Sequence, residues 1–288
     1  MKELSIPSYE NTCAAVVTYN PAVDFSSRLD LIRHIVPHTV VVDNASGAGG
    51  YQIVRTAVER HVEFELVVNR SNLGIATALN QAAEIARERG YKWLLMFDQD
   101  TRPAHKILSE LSKLWQKHPD KERIAIVGSN YSNPKTGRPV YHFKQGYNDY
   151  VKVAMCITSG SLINLDALED VGPFRDDLFI DCVDTEMCLR MRKRGFGVIM
   201  SKEPLISHPI GDQTVRSLLG KTACLADHPP QRRYYIARNR MAMAGEYWFS
   251  APGHVLRDLR AFMEEFLILL LFQDQKRKKA RAYCMGIW

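Results

Sequence analysis

Four apolar runs in the first hundred residues each end on a polar cluster, and helical stretches separate them. Cys13 to Val17 leads into Thr18-Tyr19-Asn20-Pro21, and Val40-Val41-Val42 into Asp43-Asn44-Ala45-Ser46-Gly47. Phe64 to Val68 leads into Asn69-Arg70-Ser71-Asn72-Leu73-Gly74, and Trp93-Leu94-Leu95-Met96 into Phe97-Asp98-Gln99-Asp100. Short apolar runs bounded by turn residues read as buried strands. Strands joined by helical crossovers form a mainly parallel sheet covered on both faces. The segment between the last two strands is the clearest helix: Ile75, Ala78, Leu79, Ala82, Ala83 and Ala86 keep a 3.6-residue period up to Gly90. In such a sheet all four polar clusters lie at strand carboxyl ends, where open α/β sheets bind ligands. The expected fold class is therefore α/β, a parallel central sheet flanked by helices.

Asp98 and Asp100 sit two positions apart at a strand end, and a strand directs such residues to one side. Paired carboxylates suit Mg²⁺ or Mn²⁺, which complete their shells with phosphate and water. A sugar nucleotide or similar diphosphate is the expected subject. Thr18, Tyr19 and Asn20 with Asp43, Asn44 and Ser46 are expected at the nucleoside, and Asn72 and Gly74 open the best helix, where N–H groups face anions. Gly47-Ala48-Gly49-Gly50 lacks the spacing of a dinucleotide fingerprint.

Further along, the stretch from Ser129 to Tyr150 reads as a long loop, and Val151 to Ile157 and Ser161 to Asn164 as strands around Thr158-Ser159-Gly160. Asp181, Asp184 and Glu186 place three carboxylates in six residues, with Asp184 as N-cap of a helix from Thr185. Such crowding raises at least one pKa, as a general base requires. His208 follows a short apolar run and is a candidate third metal ligand. Arg232, Arg233, Arg238 and Arg240 lie with Tyr234 and Tyr235 on one segment, which suits a diphosphate clamp.

The order Thr-Tyr-Asn, Val-Asp-Asn-x-Ser, Asn-x-Gly, Asp-x-Asp, Thr-Ser-Gly, Asp-x-Glu-x-Cys-Leu-Arg, His, Tyr-Tyr-x-x-Arg-Asn resembles family-2 glycosyltransferases of the nucleotide-diphospho-sugar transferase (GT-A) fold. Met96-Phe97-Asp98-Gln99-Asp100 and the Arg-Arg-Tyr-Tyr segment look most like the bacterial rhamnosyltransferase branch. The resemblance implies Thr18, Tyr19, Asp43 and Asn72 around the nucleoside, Asp98 at the ribose or metal, and Asp100 and His208 on the metal. It implies Asp184 as catalytic base, with Asp181, Glu186 and Thr158-Ser159-Gly160 on the acceptor side. Many relatives carry Glu where this chain has Val183, and Asp181 is the candidate substitute. The donor so implied is dTDP-β-L-rhamnose, with a UDP- or GDP-sugar as the alternative. The acceptor is a glycan or lipid-linked glycan. A nucleotidyltransferase would want a Gly-rich, Arg-bearing loop where Thr18-Tyr19-Asn20-Pro21 stands, and a non-catalytic nucleotide- or glycan-binding protein would not need intact Asp98, Asp100, Asp184 and His208.

The net charge of +6, from 38 basic and 32 acidic residues, fits phosphate-bearing substrates or an anionic membrane and gives no ground for nucleic acid. The six cysteines form no CxxC pair and read as reduced thiols, and Met1 to Pro7 lacks the apolar core of a signal peptide, so a cytoplasmic location is expected. The chain divides into a catalytic domain over 1–225 and a helical segment over 226–288. Val255, Leu256, Leu259, Phe262, Met263, Phe266, Leu267 and Leu270 share a helical face ahead of Lys276-Arg277-Lys278-Lys279. That pattern is expected to lie on the membrane surface, with packing on the catalytic domain or on a second copy in a homo-oligomer as the alternative.

Overall fold

The computed structural model describes residues 4–143, 148–209, 213–218 and 221–288, with backbone alone for 213–218 and 221–226. The chain forms two compact units, Met1–Asp176 with Met187–Pro209, and Asp177–Glu186 with Ile210–Trp288. The 226–288 segment read as a helical appendage lies within the second.

The first unit begins with β1 (Thr12–Thr18), α1 (Phe25–Ile32), β2 (Thr39–Asp43), α2 (Ala48–Val58), β3 (Phe64–Val68), α3 (Ile75–Glu88) and β4 (Trp93–Asp98). It continues with β5 (Arg102–Pro103), α4 (Ile107–Lys117), β6 (Ile124–Ser132), β7 (Tyr150–Lys152), β8 (Ser161–Asn164) and α5 (Leu165–Val171). The helix α6 (Val183–Lys193), whose first residues up to Glu186 belong to the second unit, follows, then β9 (Gly197–Ser207). The sheet runs β3-β2-β1-β4-β8-β6-β9-β5, with β7 on β9. The first four strands are parallel; β8 runs antiparallel to both β4 and β6, and β6 is parallel to β9. The expected mainly parallel α/β sheet is thus present. Every residue of β2 and all but one of β1 are buried, because helices cover both faces. Ala76, Ala78, Leu79, Ala82, Ala83 and Ala86 form the buried stripe of α3, as their spacing predicts. Trp93 and Trp115 meet edge to face at 6.0 Å. Their indole N–H groups donate to the carbonyls of Ser5 (2.9 Å) and Ile124 (3.0 Å), so two large apolar bodies are buried with no polar cost.

Register matters most for function. Thr18 pairs with Asp43, Asp43 with Val68, and Val17 with Asp98. The strand ends are therefore level, and Thr18, Asp43, Asn69 and Asp98 share one rim.

Two expectations are corrected. Only Tyr150–Lys152 of the run toward Ile157 is paired as strand, and residues 153–160 are irregular. The chain is diverted there because Gly160 N donates to Met96 O (2.7 Å) and fastens the turn beneath the end of β4. The region read as a loop from Ser129 onward is strand until Ser132, with Asn130 buried and its amide donating to the carbonyls of Tyr141 and Lys202, 2.9 Å each. Residues 144–147 of that loop lie outside the described residues.

In the second unit, β10 (Gln213–Leu218) and β11 (Lys221–Ala226) form an antiparallel pair. The helices α7 (Pro230–Tyr247), α8 (Pro252–Phe272) and α9 (Lys276–Ile287) pack through Ile236, Ala237, Phe262, Leu269 and Tyr283. Gly286 lets α9 touch α7: a Cβ there would lie 2.9 Å from Ala237 Cβ and Arg238 N, so no larger residue fits without moving backbone.

Candidate active site

At the rim of the first unit a carboxylate organises the residues expected at a nucleoside. Asp43 is fully buried and accepts from Thr18 Oγ1 (2.9 Å), Ser46 Oγ (2.6 Å) and Ser46 N (3.0 Å), which together satisfy a buried charge. Ser46 Oγ also accepts from Asn20 N (2.7 Å), and Asn20 Oδ1 from Gly47 N (2.8 Å), so the first two strand-end loops are tied together. Asn44 is a strut: its amide donates to Gly74 O (2.9 Å) and accepts from Leu73 N (2.9 Å) and Asn69 Nδ2 (3.1 Å). Asn72 closes a small turn by accepting from Gly74 N (3.0 Å) and does not cap α3, whose flanking residue is Gly74. Tyr19 is half exposed, with its ring available to a ligand. Its backbone exchanges two hydrogen bonds with the Gln99 amide, 2.8 and 3.2 Å.

Asp98 closes β4, but Asp100 lies beyond the strand in a turn where Thr101 N donates to Asp98 O (3.1 Å). The two carboxylates converge through this turn, and the strand pleat plays no part. His208 completes the group: its Nε2 is 3.8 Å from Asp98 Oδ2 and its Nδ1 is 3.4 Å from Asp100 Oδ1. One ligand atom from each of the three residues lies within 4.8 Å of the others. Asp100 Oδ1 is buried with no hydrogen-bond partner, which is costly for a carboxylate unless a cation meets it. Two carboxylates and an imidazole, too far apart to bond each other well, fit a divalent cation of the Mg²⁺ or Mn²⁺ kind. A hydroxyl chain supports the group: His208 Nδ1 is 2.9 Å from Thr101 Oγ1, which is 2.6 Å from Ser159 Oγ, which accepts from Asp98 N (3.1 Å). Such outer contacts fix a ligating imidazole.

Of the residues expected at the acceptor, Ser159 is fully buried in this chain of hydroxyls. Gly160 has φ +74°, and a Cβ there would lie 2.8 Å from Ile206 Cδ1, so its place is structural. Thr158 is half-buried, and its carbonyl accepts from Ser161 N (3.0 Å).

The second unit holds the acidic segment. Three non-glycine residues leading to α6 are left-handed, Phe179 (φ 62°), Asp181 (φ 65°) and Cys182 (φ 63°). Each such residue costs roughly 1–2 kcal/mol. The helix α7 grips this loop. Asn239, fully buried, donates from one amide nitrogen to the carbonyls of Leu178 (2.8 Å), Ile180 (2.8 Å) and Asp181 (2.9 Å). Arg232 takes Asp181 in a two-point ion pair, 3.0 and 2.9 Å. The Phe179 ring stacks on Tyr235 at 4.8 Å, and Arg238 lies 4.9 Å over the same ring. Arg238 donates to Asp177 O and to Asn239 Oδ1, so its guanidinium braces the loop.

Helix α6 starts at Val183, two residues earlier than expected, which puts Asp184 in its first turn. Asp184 Oδ1 accepts from Thr185 N (2.7 Å). Burial pushes the Asp184 carboxyl above its ordinary value; the Thr185 N–H opposes this, and the Asp181 charge adds to it. Glu186 is fully buried and accepts from Tyr247 Oη (3.0 Å). Its carboxylate therefore has a structural partner.

His228 gives this unit a pH dependence. Burial, with Arg232 and Arg233 nearby, pulls its imidazole down from 6.5 to about 4. The unfolded chain then binds the proton first as pH falls, so stability is lost between about 6.5 and about 4. Melting temperatures from pH 7.5 to 4.5 are expected to fall more steeply for the parent than for His228→Asn.

Sequence reasoning missed Gln99, Thr101, Asn239 and Tyr247. The first two lie inside the segment around Asp98, and Asn239 ends Tyr-Tyr-x-x-Arg-Asn. Tyr247 carried no signal.

The model of the family described as glycosyl transferase family 2 matches residues 14–172. The dTDP-rhamnosyl transferase RfbF of Shigella flexneri is 30% identical over 246 residues, which cover 80% of this chain and 78% of that protein. Among solved structures, S. aureus TarS has a TM-score of 0.61 at 13% identity over 96% of this chain, which spans 49% of TarS. The mannosyltransferase PcManGT of Pyrobaculum calidifontis, solved with GDP-Man and Mn²⁺, has a TM-score of 0.58 at 19% identity over 98% of this chain and 86% of its own. At these identities the two structures speak for the fold alone.

Proposed function

This chain belongs to glycosyl transferase family 2, and on that premise we propose that it moves L-rhamnose from dTDP-β-L-rhamnose to a hydroxyl of a bacterial surface glycan. The observation that carries the donor is the 30% identity to a dTDP-rhamnosyl transferase over 80% of the chain. Thr18, Tyr19 and the Asp43 network receive the nucleoside. Asp98, Asp100 and His208 would hold a Mg²⁺ or Mn²⁺ ion, which would supply charge compensation for a departing diphosphate. Asp184 takes the proton of the acceptor hydroxyl, whose oxygen bonds to the anomeric carbon as the bond to the diphosphate oxygen breaks. A single displacement inverts the configuration and gives an α-L-rhamnoside. A base needs a carboxyl poised above the usual range, and burial supplies this at Asp184.

Melting of the purified protein with dTDP, UDP, GDP or CMP, each with and without Mn²⁺, tests the reading. A ligand at 100 times its Kd adds about 2.7 kcal/mol. A Mn²⁺-dependent shift with dTDP is the expected result. A shift with UDP or GDP instead discards rhamnose and keeps the transferase, whereas no shift with any nucleotide overturns both.

A peripheral place on an anionic membrane belongs to the same proposal. Among the described residues no helix is long and apolar enough to cross a membrane. Leu256, Met263, Leu267, Leu270 and Leu271 are nonetheless exposed along α8, while Val255, Phe262 and Leu269 of that helix are buried. The expected apolar face is thus divided, one half packed and one half bare. Lys276, Arg277, Lys278 and Arg281 are exposed on α9, which carries no acidic residue, while Lys279 is buried against Asp227. Basic side chains beside a bare apolar stripe complement anionic headgroups at about 1 kcal/mol per charge. Flotation with phosphatidylglycerol vesicles and none with phosphatidylcholine is expected. Recovery at the bottom of both gradients argues for a protein partner on that face.

A further inference from the structure

We infer that Asn239 is a positioning residue for Asp184, acting through the left-handed loop that delivers the chain into α6; the inference rests on Asp184 being the base. The observation is a strained backbone whose carbonyls converge on one side chain. Phe179, Asp181 and Cys182 all have φ between 62° and 65°, a region that L residues avoid. Backbone of this kind persists only where its surroundings over-determine it. The left-handed residues turn the carbonyls of Leu178, Ile180 and Asp181 toward one point, and the Asn239 amide nitrogen sits there, 2.8 to 2.9 Å from each. Two amide hydrogens serve three acceptors, so no other side chain of that size substitutes: aspartate would set an acceptor against three acceptors. The other end of the amide is fixed in turn, since Asn239 Oδ1 accepts from Arg238 at 2.9 and 2.8 Å.

The loop passes its geometry straight to the base. Cys182 O accepts from Glu186 N (2.8 Å), so the last left-handed residue supplies a carbonyl to the first turn of α6, in which Asp184 sits. The grip on the loop comes from one side of α7, at Arg232, Tyr235, Arg238 and Asn239, positions spaced as one helical face. Asn239 bonds the loop's carbonyls at three residues, and Arg238 bonds that of Asp177. Releasing it lets Phe179, Asp181 and Cys182 relax toward ordinary backbone angles, and Asp184 moves with them. A displacement near 1 Å at a reacting group costs about 10²-fold in rate.

The test uses the full chain with Asn239→Ala, and Asn239→Ser as a milder variant should the first fail to fold. Amide hydrogen exchange over residues 178–186 reads the clamp directly, without substrate. Turnover of dTDP-β-L-rhamnose with water as acceptor reads the base, and the Mn²⁺-dependent melting shift with dTDP reads donor binding. Expected are faster exchange over 178–186, kcat lowered about 10²-fold, and KM and the dTDP shift within a few-fold of the parent. Glycine adopts the left-handed region at no steric cost, so Cys182→Gly added to Asn239→Ala is expected to recover at least tenfold of the lost kcat. Unchanged exchange overturns the clamp. Faster exchange with unchanged kcat overturns the positioning role, as does loss of donor binding in parallel with kcat or a double variant no better than the single one. Retained turnover in Asp184→Asn is a separate result: it refutes the base, while the exchange data still judge the clamp.

Discussion

Asp184→Asn is expected to lose donor turnover by about 10²–10⁴-fold and, at neutral pH, to melt at a higher temperature than the parent. The two effects share a cause. Burial raises the Asp184 carboxyl above its ordinary 3.8, so the folded chain holds this proton more tightly than the unfolded one. Stability contributed at this site therefore falls as pH rises from about 3.8 through the raised value. Asparagine has no charge to bury, which removes the penalty and the base together. Turnover of the parent should show an acid limb above the usual carboxylate range. Scanning calorimetry below the ordinary value of 3.8 and at pH 8 checks the sign, because the gap between variant and parent must widen with pH. A variant less stable than the parent at pH 8 would contradict a charged, desolvated Asp184.

Asp100→Asn is expected to remove the Mn²⁺-dependent part of nucleotide binding. Asp100 Oδ1 has no hydrogen-bond partner although it is buried, and it faces the His208 imidazole at 3.4 Å, where a shared cation fits. Charge compensation by a bound metal is worth several kcal/mol at a leaving group, and turnover should fall on the order of 10²–10³-fold. In dTDP at 100 times its Kd, the parent should lose stability on chelation with EDTA, whereas the variant should show no change. A variant that keeps the EDTA response would move the metal away from this cluster.

The particular elements show how far local pattern reaches. The stripe on α3 was legible because an amphipathic helix between two buried strands has one stable way to face the sheet. The pairing of Thr18, Asp43 and Asp98 along one rim was legible for a similar reason: parallel strands joined by right-handed crossovers end at the same edge. Pattern was silent where a side chain left its own segment. Ser159, expected at the acceptor, is buried beneath Asp98 because Gly160 fastens to Met96. That Arg238 braces Asp177 and Asn239 was not visible either, because the rotation of α7 brings it there.

The sequence by itself determined the parallel sheet, the polar rim and the candidates for cation and base, since hydrophobic period and strand-end chemistry are local and survive any detail of packing. Tertiary structure alone decided which atoms serve. Asp98, Asp100 and His208 meet through a turn and a strand more than a hundred residues away, and Asn239 reaches a loop some sixty residues earlier. The reason is physical: hydrogen bonds and metal ligation depend on ångström-scale placement set by sheet register and helix rotation, which no window of sequence encodes.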